Sequence, residues 1–144
     1  EIKSIRTEIN NITRNNNSVV SAISKNVIKY AEELGLGNKE TIPASYLFTS
    51  NLKELSGAVL HKTAFAFRLA YITVIEDTLK IKLPIILDSP SGKEVDQANI
   101  KLMRDILKRD FADHQIIIAS IFNYDFDEAK IIEIKDRLIT ENSL

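Results

Sequence analysis

A chain of 144 residues, 44% hydrophobic and 27% charged, has the composition of a globular domain and the length for one real core. A net charge of −1 argues against nucleic-acid binding through bulk charge alone, and the lack of cysteine excludes a disulfide framework or a thiolate metal site. No uninterrupted apolar run reaches the ~20 residues of a bilayer span and no signal peptide is legible, so no membrane partner and a cytoplasmic location are expected. The first residue is Glu1, not Met, so a piece of a longer protein is expected.

Residues 1–37 carry the first pattern. Ile2, Ile5, Ile9, Ile12, Val19 and Ile23 step by threes, fours and one seven, a heptad-like stripe that Asn15, Asn16 and Asn17 interrupt. Val27, Ala31 and Leu34 continue an apolar face up to Gly35, which suits the residue just past a helix end. Such a segment is either an amphipathic helix packed on its own domain or the returning end of a coiled coil with its lead-in helix. Residues 38–144 form the second part. A polar connector leads to Tyr46-Leu47-Phe48, a short edge-strand candidate. A helix over 58–79 is apolar nearly all round and is expected to be largely buried. Residues 84–87 are an apolar run ending in Asp88, expected as a strand buried on both faces. Ser89-Pro90-Ser91-Gly92 turns the chain into a helix over 95–110 with Ile100, Met103, Ile106 and Leu107 on one face. Residues 116–119 read as a second buried strand, 130–134 as a candidate third, and 137–144 as a frayed tail. The expected class is α/β: a mostly parallel sheet flanked on both sides by helices, preceded by a coiled-coil-like helix.

Two places in this pattern suit phosphate chemistry. Asp88 closes a strand, and the carboxyl ends of strands are where open α/β sheets bind ligands. Ser56 and Gly57 open a helix, whose unpaired N–H groups and partial positive charge suit an anion. The sequence LSGAVLHKTAFAFRLA over 55–70 resembles the signature motif of ABC-type ATPases, closest to the SMC-like group that includes the double-strand-break-repair ATPases. There too the signature runs into a helix ending in AFRLA, as at Ala66, Phe67, Arg68, Leu69 and Ala70. The strand ending in Asp88 lies 32 residues beyond Ser56, and HQIIIAS over 114–120 resembles the strand leading to the family's switch histidine. The resemblance spans roughly 53–135 and implies the C-terminal lobe of an ATPase head. It implies ATP and Mg2+, with Asp88 as the magnesium partner through a coordinated water. It implies that Ser56, Gly57 and Ala58 contact the γ-phosphate held by an opposite head. It also implies that Asp96, one residue later than the family spacing, is a counterpart of the aspartate between heads, and that Arg68 couples nucleotide state to lobe movement. The implied partners are a Walker A-bearing N-terminal lobe, a second head and, through the whole assembly, DNA.

The departures bear on turnover. Ala58 stands where the signature has its second glycine, Ser89 where the catalytic glutamate is usual, and Ile121 at the switch-histidine position. Glu94 is the nearest carboxylate that could replace the missing base. No GxxxxGK[ST] loop occurs, so the chain alone is expected to bind ATP negligibly and to be inactive. Two functions follow: half of a working ATPase in repair, chromosome maintenance or phage defence, or a degenerate head that binds ATP and dimerises with little hydrolysis. An unrelated α/β binding domain is the third reading. His61 and His114 lack metal-like spacing and read as structural or surface groups; Asp125, Asp127 and Glu128 read as a solvated turn; no GxSxG elbow supports a hydrolase triad.

Overall fold

The computed structural model describes residues 2–37, 55, 57–88 and 97–134. The candidate strand at 46–48 and the tail at 137–144 lie outside them. Element order is α1 (Ile2–Asn16), α2 (Ser18–Glu33), α3 (Gly57–Leu79), β1 (Ile85–Asp88), α4 (Gln97–Asp110) and β2 (Ile116–Ala119).

Asn17 separates the first two helices for a physical reason. Its backbone is extended, at φ −114° and ψ 110°, and its side chain accepts from the Val19 and Val20 N–H groups. The break is therefore an N-cap that satisfies donors α2 would leave unpaired. At the far end Gly35 adopts φ +74°, Leu36 N donates to the Ala31 carbonyl at 2.9 Å, and Gly35 N donates to the Glu32 carbonyl at 3.0 Å. These two bonds are a Schellman closure, and Leu36 folds back to become buried.

The N-terminal stripe divides between two environments. Val20, Val27, Tyr30, Ala31 and Leu34 of α2 and its cap are buried, so this part is an amphipathic helix packed on its own domain. Ile2, Ile5, Ile9 and Ile12 of α1 are instead exposed by half or more. A second helix for that face is absent among the described residues.

α3 is the central element. Phe65, Ala66, Leu69, Ala70 and Val74 are buried, and the core they enter includes Tyr30 and Leu34 of α2 and its cap, Ile85 and Leu87 of β1, and Met103, Ile106 and Leu107 of α4. Thr73 donates to the Leu69 carbonyl, so the Tyr30 hydroxyl donates to Thr73 Oγ1 at 3.0 Å, a polar tie between α2 and α3. Length and composition would also let α3 cross a membrane, contrary to the expectation that no such stretch exists. Its buried face nevertheless lies in this core, and a buried core helix meets the same test.

β1 and β2 pair in parallel, with Ile85 opposite Ile116 and Asp88 opposite Ala119, and α4 makes the crossover. Ile85 and Leu87 point into the core with the half-buried Ile116 and Ile118. Ile86 is 64% and Ile117 48% exposed on the opposite face. The expectation of strands buried on both faces is thus corrected: among the described residues, helices cover one face only. Residues 130–134 form no strand; Ile131, Ile132 and Ile134 are about three-quarters exposed, and isoleucine content without a pairing partner makes no sheet. The class is α/β, but these residues do not make a complete P-loop head.

Candidate functional site

The structure places some of the candidate residues and leaves others outside its described residues. Gly57 starts α3 at φ +58°, a left-handed conformation that disfavours any side chain at this position. Position 57 therefore has a backbone reason to be glycine. Ala58 follows in the first turn, half-buried against the core. Asp88 is the last residue of β1, exposed at the strand's carboxyl edge. Arg68 faces solvent from the middle of α3, which removes the need for a buried partner. Ser56, Ser89, Glu94 and Asp96 lie outside the described residues.

α3 reaches about 28 Å from Glu76 to Gly57, whereas β1 rises only about 10 Å from Ile85 to Asp88. Helix start and strand end thus stand at different distances from the base that both elements share. Asp88 carries a single carboxylate, and no cluster of three or more metal-ligating side chains occurs among the described residues. One carboxylate suits magnesium, which keeps waters and shares phosphate oxygens, and does not suit a caged all-protein metal. Ile121, set against a switch histidine only by resemblance, is 87% exposed just beyond β2. Its side chain has no hydrogen-bonding group with which to sense a phosphate.

Among the described residues a polar cluster lies elsewhere, at the base of the sheet. Glu76, Lys82, Arg109, Asp110, Asp113 and His114 surround a cleft of about 230 Å³. Asp110 Oδ1 accepts from Arg109 Nε at 2.6 Å, and Oδ2 accepts from Lys29 Nζ at 2.8 Å. Arg109 also donates to Glu33 at 2.7 Å, so α4 is tied to α2 twice. The Arg109 guanidinium, assisted by Lys29, holds the Asp110 carboxyl well below the usual carboxylate range despite partial burial. Lys82 donates to Asp113 at 2.9 Å, which raises the lysine and lowers the aspartate. None of these groups was a functional candidate from sequence: apart from the adjacent Arg109 and Asp110, the hydrogen-bonded partners lie 31 to 81 residues apart.

His114 is structural, as expected. Its ring sits edge-on to Phe111 and its side chain is 2% exposed. Asp125 and Asp127 are exposed, as a solvated turn requires, yet Lys108 donates to Asp127 at 3.0 Å and to the Asp125 carbonyl at 3.1 Å. The turn is therefore pinned to α4.

Comparison of the chain with protein-family models, curated proteins and solved structures finds no match.

Proposed function

We propose that this chain is the C-terminal lobe of an SMC-like ATPase head, completed by a separate Walker A-bearing lobe. The observation that carries the reading is the outer face of the parallel strand pair, which no helix covers among the described residues and where Ile86 and Ile117 are exposed. Parallel sheets are stable when both faces are covered, so such a face calls for a second layer. The order of elements supports the same reading: a helix opened by Gly57, a strand closed by Asp88, a crossover helix and a parallel neighbour. The exposed Ile stripe of α1 suits a coiled-coil partner helix.

In this reading the nucleotide lies between heads. Ser56, with the N–H groups opening α3 at Gly57 and Ala58, would hold the γ-phosphate of ATP bound by an opposite head, and Asp96 would contribute to the contact between heads. Asp88 would hold a magnesium ion through one of the ion's waters. Bound magnesium would supply charge neutralisation at the phosphates. Arg68, solvent-facing on α3, is free to meet the completing lobe. Two heads sharing ATP in this way would be clamped together, and the complete assembly would work on DNA in the cytoplasm.

Ser89 and Ile121 favour a second form of the reading, a head that binds ATP and dimerises with slow turnover. A hydroxyl is a poor general base at neutral pH, and losing a base typically costs about 10²- to 10⁴-fold. Turnover of the completed assembly tests the assignments. Ser89→Glu is expected to raise it at least tenfold, Glu94→Gln to abolish what remains if Glu94 is the substitute base, and Asp88→Ala to remove it. Turnover indifferent to Ser89→Glu and Asp88→Ala would overturn both roles.

A further inference from the structure

We propose that His114 is held as an imidazolium whose one added proton clasps the last turns of α3 to the base of both strands. Nδ1 lies 2.9 Å from the Leu83 carbonyl oxygen, and Nε2 lies 2.9 Å from Glu76 Oε2. A carbonyl oxygen only accepts, and so does a carboxylate. Neutral imidazole has one N–H and one bare nitrogen, so it can satisfy one of these contacts and sets two acceptors against each other at the second. The imidazolium donates at both. Leu83 leads into β1, His114 leads into β2, and Glu76 belongs to the end of α3. The Ile85 N–H also donates to the Gln115 carbonyl at 2.8 Å, so the clasp sits where the strand pair begins.

The surrounding charges agree. From α3 comes Glu76, from the α3–β1 connection Lys82, from the end of α4 Arg109 and Asp110, and from the turn before β2 Asp113. Three acids stand against two bases, and α2 adds only the matched pair Lys29 and Glu33. An imidazolium brings the cleft to neutrality. The ring itself is sealed beneath Phe111, while Glu76 is 32% exposed, so proton exchange with water runs through the carboxylate. The clasp does not depend on the ATPase reading.

Long-range 1H–15N spectra of the histidine-labelled chain at pH 7 test it, with His61→Gln assigning the two rings. Both His114 nitrogens are expected to be protonated. One bare nitrogen at pH 7 would overturn the proposal, and this reading needs no variant of the clasp to fold. Glu76→Gln supplies an amide donor of the same shape, so His114 is then expected to keep Nδ1–H and lose the proton from Nε2. A doubly protonated ring in that variant would remove Glu76 as the group that holds the proton.

Discussion

Replacing Asp110 by Asn isolates the network that ties α4 to α2. The carboxylate accepts from Arg109 at 2.6 and 2.9 Å and from Lys29 at 2.8 Å, and its side chain is 19% exposed against 46% for Lys29 and 54% for Arg109. Hydrogen bonds to charged groups contribute about 1.5–3 kcal/mol in sheltered sites, and exposed pairs about 0.2–1. Three corrections place this site in the lower range. Arg109 is adjacent in sequence, so part of its attraction survives unfolding. A carboxylate at a helix C-terminus opposes the dipole by about 0.3–1 kcal/mol. The cationic partners are half in water. A net loss of about 1 kcal/mol at pH 7 is expected, or about 3–4 °C in Tm for a chain of this size. The sign with pH follows from the depressed carboxyl. Its stabilisation is fully present above the unfolded value, about 3.9, and fades as pH falls toward the lower folded value. Thermal unfolding followed by far-UV circular dichroism from pH 7 to pH 2 reads both effects. Wild type and Asp110→Asn should differ at pH 7 and converge at the acid end. Parallel curves with a constant gap would refute the ionic origin.

Other substitutions probe the core, the backbone and the open face. Leu69→Ala, at a fully buried position of α3, is expected to cost about 2–5 kcal/mol in urea unfolding with unchanged m; a loss under about 1 would mean that α3 is not central. Lys80 ends α3 at φ 58°, so Lys80→Gly relieves about 1–2 kcal/mol of strain against a smaller entropic cost, and Tm should rise by about 1–3 °C. Gly57→Ala at φ +58° should lower stability by about 1 kcal/mol; an unchanged Tm would contradict the left-handed start of α3. Ile86→Lys, on the bare sheet face, should change the chain's own stability by no more than about 0.5–1 kcal/mol while preventing its association with a completing lobe.

Local pattern made most elements legible. The apolar run at 116–119 became β2 with the same bounds, α3 begins one residue before its expected start, and Asp88 does close β1. These segments carry their own signals: apolar content, length and bounding turn formers. Asn17 was legible only as a weak helix former. Its role as a cap depends on where the next helix starts, which single-residue propensity does not specify. The open face of β1 was not legible, because Ile86 and Leu87 are equally apolar and only the layers present decide which is covered. Nor was the charged base of the sheet, where Lys29, Glu76 and Asp110 meet partners far away in sequence. The isoleucines at 130–134 misled because strand propensity acts only with a neighbour to pair with. For the candidate site, sequence offered the residue types and their spacing; the structure contributes Gly57's backbone conformation and Asp88's position at the strand edge.

The central claim is that this lobe is completed by another chain segment. Its most direct test is ATP binding and mass by light scattering, on the chain alone and mixed with a Walker A-bearing lobe. Negligible binding alone, binding in the mixture, and an ATP-dependent rise to the mass of two complete heads are the expected results. Tight ATP binding by the chain alone, or a mixture that neither associates nor binds ATP, would contradict the account.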